Sequence, residues 1–354
     1  MRWRAFAYAS IIEACVLPSS AWSQAAELRI KLNTVDGSPV NGALIALLDS
    51  RDSVVAEGLG SENGSRVLLA PPGEYRVRVR RIGYLPFISS PVSLPRPSEL
   101  SLDVQSPRVV LESIVVTSKS QCRRSDPASQ TLSVVWDEID KALRASQLTI
   151  DDLAGIGQAQ RYRTEFSSAG TVISADTTVF RITRGRPFGA IAPDDLAARG
   201  YVRGNENTGW QFFGPDETVL LSEQFAATHC FKLTRDRSRP RDIGVVFEPV
   251  PDRPIADIEG VLWVDQSTSE LREMVFRFVN AGVLSRFEAG GFTRFRHVPS
   301  GAWIVDEWRL RAPRIELRQR QVGYGASIEY RSNGYVDTGG GIIRPASSNP
   351  DKRN

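Results

Sequence analysis

The chain has 354 residues, 41% of them hydrophobic and 24% charged. That is a globular balance, and it excludes a disordered protein. The charges are 44 Lys+Arg against 41 Asp+Glu, for a net +3. Nearly all the cations are arginines interleaved with acids, so the basic stripe of a nucleic-acid binder is absent and no nucleic-acid partner is expected. Two histidines and three cysteines leave few ligands for a zinc site. Neither a metal nor another cofactor is expected. The length suggests two or three domains at roughly 100–200 residues each.

The first segment, MRWRAFAYASIIEACVLPSSAWSQAAE, has the plan of a secretory signal peptide. Arg2 and Arg4 form a positive n-region. Ala5 to Leu17 is apolar apart from Glu13, and Ala21-Trp22-Ser23 places small residues at −3 and −1 of a cleavage site. The run is too short for an ordinary transmembrane span. Residues 1–23 are therefore expected to direct export to a periplasmic or outer-membrane-associated location. Cys15 is a candidate for lipidation, although Glu13 fits a lipobox badly. Cleavage would remove Cys15 and leave Cys122 and Cys230, an even pair that an oxidising compartment favours as a disulfide. Such a bridge would restrict the unfolded chain by about 4–5 kcal/mol in the entropy model. Two buried free thiols are the alternative.

Residues 24–118 read as a β-sandwich of short strands. Leu28, Ile30 and Leu32 alternate with Arg29 and Lys31, and Asp36-Gly37 marks a turn. Ala43 to Leu48 is continuous apolar sequence, as in a strand buried on both faces. Asn63-Gly64 is a hairpin signal. Tyr75, Val77 and Val79 alternate with Arg76, Arg78 and Arg80, and the arginine row is expected to be a solvated sheet face. Leu100, Leu102 and Val104 repeat the period.

The string Asp36-Gly37-Ser38-Pro39-Val40-Asn41-Gly42-Ala43, followed by Pro72-Gly73-Glu74-Tyr75 and Arg81-Ile82-Gly83-Tyr84, resembles the carboxypeptidase regulatory-like domain. The resemblance implies a transthyretin-like sandwich of the carbohydrate-binding-like class over residues 27–117, and it implies no peptidase activity. The closing string Glu112-Ser113-Ile114-Val115-Val116-Thr117-Ser118 resembles the TonB-box-like segment that joins such modules to the plug of outer-membrane receptors. A last edge strand is the preferred reading of it. Too few residues follow for a barrel of 22 strands, so a complete receptor is not expected.

Residues 119–157 read as a polar linker and a helix. Leu132, Val135, Ile139 and Leu143 recur at helical spacing, widened by Trp136 and Ala142. Asp151-Asp152 is read as the start of a further short turn. From 158 to 337 a β-rich domain with a few helices is expected. Its hairpin is 161–166 with 177–183. Short helices open at Pro193 and at Pro215, the second running to His229 and ending at Cys230. Strands follow at 243–247, 257–264, 271–279, 292–297 and 303–311. The Gly-, Pro- and Ser-rich tail from Thr338 to Asn354 is expected to be disordered.

The strings Gly260-Val261-Leu262-Trp263-Val264-Asp265, Leu271 to Phe276 and Gly301-Ala302-Trp303 resemble periplasmic lipoprotein-carrier and outer-membrane lipoprotein-sorting proteins. That resemblance implies a curved antiparallel half-barrel around helices, with an apolar cavity. The two-part layout as a whole resembles that of uncharacterised exported bacterial proteins.

Candidate chemistry is sparse. No nucleophile elbow, zinc-protease, Walker or dinucleotide string occurs. His229 beside Cys230 is a poor dyad, because strand neighbours point to opposite faces. It reads as a packed histidine, and His297 as a surface one. Asp265 and Glu270 flank a turn and could be paired carboxylates for glycosidic chemistry, but turn chemistry explains them more simply. Trp263, Phe276, Phe278, Trp303 and Trp308 could line an apolar cavity or a sugar platform, with ordinary core as the alternative.

The leading expectation is a non-enzymatic exported envelope protein. Its sandwich is a binding or spacer module, its second domain holds a lipid or peptide, and it has an outer-membrane or envelope partner. A secreted carbohydrate-binding accessory or hydrolase with a glycan ligand is the alternative. A TonB-receptor-related, plug-like protein is the third reading.

Overall fold

A computed structural model describes residues 25–105, 107–111, 129–153, 157–183, 191–205, 207–298, 301, 303–322 and 325–343. The chain is mainly β, with several antiparallel sheets and a few helices. The TonB-box-like Glu112, Ser113, Ile114, Val115, Val116 and Thr117 lie outside the described residues, as does Cys122.

The N-terminal part has eight strands: β1 (Ala26–Asn33), β2 (Leu44–Leu48), β3 (Val54–Leu59), β4 (Ser65–Ala70), β5 (Gly73–Arg80), β6 (Phe87–Ile88), β7 (Val92–Leu94) and β8 (Glu99–Asp103). One sheet has the order β4-β1-β8, with β1 and β8 parallel. The other runs β3-β2-β5-β6, with β7 also on β5. The alternation in β1 buries Leu28, Ile30 and Leu32 completely against Ile45, Leu47, Val77 and Val79 of the facing sheet. Asn63-Gly64 does not close a hairpin between paired strands. β3 pairs with β2 and β4 with β1, so this turn carries the chain from one sheet to the other. Asn63 holds it by accepting from the Ser65 backbone N–H at 3.1 Å, with Gly64 at φ +73°.

Helix α1 (Ser129–Leu153) follows. Val135, Ile139, Ala142 and Leu143 are wholly buried on its apolar stripe. Its polar side meets the sandwich. Arg80, expected on a solvated face, is instead 9% exposed, because Asp137 and Asp140 of α1 each approach it at 2.7 Å. Lys141 is fully buried. It donates to Glu138 at 2.7 Å and to the Tyr84 carbonyl at 2.8 Å, and lies 2.8 Å from Asp137. The Gly83 N–H donates to Glu138 at 2.7 Å. Burial pushes the Glu138 carboxyl above its usual range against the pull of Lys141. Asp151 and Asp152 start no new turn. They belong to the last turn of α1, where Asp152 accepts from Arg66 of β4 at 3.1 Å.

The second part comprises β9 (Gln158–Ser167), β10 (Val172–Arg181), α2 (Pro193–Arg199), β11 (Val202–Asn205), β12 (Gly209–Phe212), α3 (Glu217–Leu220), α4 (Glu223–Thr228), β13 (His229–Thr234), β14 (Asp242–Pro249), β15 (Asp257–Asp265), β16 (Leu271–Val279), a 3-10 turn at Gly282–Arg286, β17 (Gly290–His297), β18 (Trp303–Val322) and β19 (Gly325–Ile343). Nine strands form one antiparallel sheet in the order β10-β9-β19-β18-β17-β16-β15-β14-β13, and it does not close into a barrel. α1 packs on the face that carries Ile243, Val245, Leu262, Val264, Met274 and Phe276.

Three expectations change here. The helix opening at Pro215 is broken in two at Leu221–Ser222, because Ser222 caps α4 by accepting from the Phe225 N–H. His229 and Cys230 therefore begin a strand rather than end a helix. Thr338 to Ile343 is not a loose tail but the end of β19, paired with β9 and, as far as Gly340, with β18. Its glycines permit this, since a Cβ on Gly339 would enter the Tyr162 ring and one on Gly341 the Asp306 carbonyl. Strand β18 runs well past Arg311, and its far half pairs only with β19 as a two-stranded ribbon.

Candidate functional site

The period of two in β16 puts Met274, Phe276 and Phe278 on the helix-bearing face and leaves Val275 39% exposed on the other. The register continues that face through Thr293 of β17, which is opposite Trp308, and Gly291, which is opposite Leu310. Above it run Phe212, Phe213, Gly214 and Pro215, then Leu220 of α3, with Ile150 of α1 at one side. These surfaces do not meet, and they enclose a cavity of about 440 Å³. Gly214 keeps it open, because a Cβ there would sit 3.2 Å from the Phe276 ring and 3.3 Å from Leu310. The acids at its wall are already engaged. Asp216 caps α3 by accepting from the Thr218 and Val219 N–H groups at 3.0 Å, and Glu217 accepts from Ser146 at 2.9 Å.

A second hollow of about 510 Å³ shares Phe212, Phe213, Leu310 and Thr338 with the first, so the two form one groove. Trp210, Ala312, Ile315 and Val336 carry its apolar lining on beneath β12, toward Arg163 and Arg314. An apolar lining with a few polar groups at one end is the usual build of a small-molecule site, and the size lies within the usual range of about 300–1,000 Å³.

The five residues expected to line a cavity are divided by the fold. Phe276 and Trp308 line the groove. Phe278 is buried next to it, edge-on to Phe212 at 5.2 Å and to Phe276 at 5.7 Å. Trp303 lines a different cleft of about 240 Å³ between the sandwich and the large sheet, with Tyr84, Glu270 and His297. Trp263 stands on the far face of the sheet, opposite Glu273, with the Arg239 guanidinium 5.2 Å above its ring. The residues that sequence reasoning missed are Phe212, Phe213, Met274, Phe295 and Ile150. Met274 alone carried a signal, at two residues from Phe276.

Asp265 is 2% exposed, and its Oδ1 accepts from the Ser267 N–H at 2.9 Å, the Ser267 hydroxyl at 2.6 Å and the Thr268 N–H at 3.0 Å, while Arg272 holds Oδ2. Burial opposes its charge, but these donors hold its carboxyl well below the usual range. Glu270 faces His297 at 3.6 Å, and that histidine lies over Trp303 with ring centroids 5.3 Å apart. The two acids thus hold a turn and a contact across the large sheet. His229 is buried, stacked on Phe225 at 4.0 Å, with its ring nitrogens 3.1 Å from the Phe225 and Ile258 carbonyls. Cys230 is 1% exposed on β13. Among the described residues no group of three or more His, Cys, Asp or Glu side chains is arranged to hold a metal ion.

A family model described as a protein of unknown function, DUF1416, matches residues 20–83. The match ends at the turn after β5 and includes neither the groove nor α1. No curated protein matches the chain.

Proposed function

We propose that the chain is a non-enzymatic exported protein of a bacterial envelope whose C-terminal sheet holds an apolar ligand, while its sandwich serves as a regulatory-like binding or spacer module. The groove over β16 to β19 carries this reading. It is a sizeable apolar hollow kept open by a glycine. Export is supported by the charged, apolar and small-residue order of residues 1–23. The carboxypeptidase regulatory-like identity of the sandwich is supported by its motif glycines. Gly37, Gly42 and Gly83 sit at φ +81°, +63° and +80°, a region that favours glycine. A bridge from Cys122 to Cys230 remains part of the proposal.

The test is a series of unbranched alcohols from hexanol to dodecanol, titrated into the full chain and followed by tryptophan fluorescence. Trp210 and Trp308 both line the groove. Each added methylene should tighten binding by about 0.8 kcal/mol, close to fourfold. Affinity that does not rise with chain length would remove the reading.

A further inference from the structure

We infer that the occupant of the groove is a single alkyl chain ending in a carboxylate, with the head held between Arg163 and Arg314; this rests on the reading that the groove takes an apolar ligand. At the inner end the two acids, Asp216 and Glu217, are committed to a helix cap and to Ser146. Ile150, Met274, Leu220 and Phe295 line that end, which suits the tail.

The outer end is different. The β9–β19 register sets Arg163 opposite Thr338 and Glu165 opposite Val336, so both arginine and acid share the face of two groove-lining residues. Arg163 donates to one oxygen of Glu165 at 3.1 Å, and Arg314 reaches the other at 3.8 Å. That long contact is the one polar interaction of Arg314 among the described residues. Two guanidiniums thus share Glu165 at the mouth of an apolar channel, and Asp176, opposite Arg163 on β10 and on the same face, makes no ion pair with either. Asp337 lies on the opposite face, where Arg311 donates to both of its oxygens at 2.7 Å.

An ionised carboxylate is the planar group that a guanidinium fork binds in two parallel hydrogen bonds. A cationic head would be repelled.

The probes are decanoate, decanol, decyl phosphate and decyltrimethylammonium, each below its micellar concentration, with the full chain at low salt. Decanoate should bind about tenfold more tightly than decanol, and the gap should narrow as salt rises. In the R163Q/R314Q variant decanoate should fall to the affinity of decanol, with decanol itself unchanged. R51Q, at an arginine side chain 85% exposed on the sandwich, should change neither.

Equal binding of decanol and decanoate by the unaltered chain would overturn the inference and leave the apolar groove standing. So would a gap that survives in the double variant, or tighter binding of the ammonium. Tighter binding of decyl phosphate than of decanoate would overturn the carboxylate and point to a phosphate head group. Failure of all four probes to bind would overturn both readings.

Discussion

Replacing Lys141 with Met tests how the two halves are joined. All three protons of the ammonium face oxygens, at 2.7 Å to Glu138, 2.8 Å to Asp137 and 2.8 Å to the Tyr84 carbonyl. The K141M variant keeps the volume of the stem and removes the charge. Asp137 retains Arg80, but Glu138 is 0% exposed and, among the described residues, keeps only the Gly83 N–H. Breaking a buried pair on one side costs about 3–5 kcal/mol, because the remaining charge is buried without compensation. Removing both charges in E138L/K141M should recover much of that, with a coupling of about 1–3 kcal/mol.

The sign with pH is definite. Burial already raises the Glu138 carboxyl above its unfolded value, and losing Lys141 raises it further. A raised carboxyl destabilises the fold when ionised, so the K141M penalty should be larger at pH 8 than at pH 5. Urea unfolding followed by tryptophan fluorescence and by far-UV circular dichroism measures it, provided the two transitions coincide. A loss under about 1 kcal/mol, or one that is the same at both pH values, would refute the argument.

In the groove, T338W should fill the passage shared by the two hollows and weaken decanol binding by at least about tenfold with little change in stability, as fluorescence titration and urea unfolding would report. Asp265 has its carboxyl held below its ordinary 3.8, so it contributes stability that is present above that value and lost as pH falls below it. D265N should therefore be less stable than the unaltered chain at pH 7, and the gap, by urea midpoint, should narrow steadily as the pH is lowered from about 4 toward 2. Protein purified from the periplasm without reductant should show no free thiol at Cys122 or Cys230, and two labelled thiols would remove the proposed bridge.

Elements with a strong period were the readable ones. Leu28, Ile30 and Leu32 define β1, and the run from Leu271 to Val279 has the bounds of β16, because each strand has one buried face and register there is costly to change. The ribbon of β18 and β19 was not legible. From Arg314 to Arg320 it is mostly charged or polar, and it is held by backbone pairing rather than by burial of one face. Gly339 to Gly341 suggested looseness by composition, yet they permit close packing against Tyr162 and Asp306. Arg80 looked solvated because its carboxylate partners lie on α1, 57 and 60 positions later.

The groove was half legible for a related reason. Aromatic residues can be counted in a sequence, but alternation decides their side of the sheet. Phe276 and Trp308 fell on the groove side, and Trp263 fell opposite. Phe212 and Phe213 arrive from a separate hairpin, and no local pattern announces them.

The groove can be tested directly through its methionine. The chain has two, Met1 and Met274, and Met274 lines the cavity at 1% exposure. With methyl-labelled methionine in the full chain, decanol should shift the Met274 methyl resonance progressively to saturation and leave that of Met1 in place. A Met274 resonance that stays fixed while decanol rises to its solubility limit would contradict an apolar ligand site over β16 to β19.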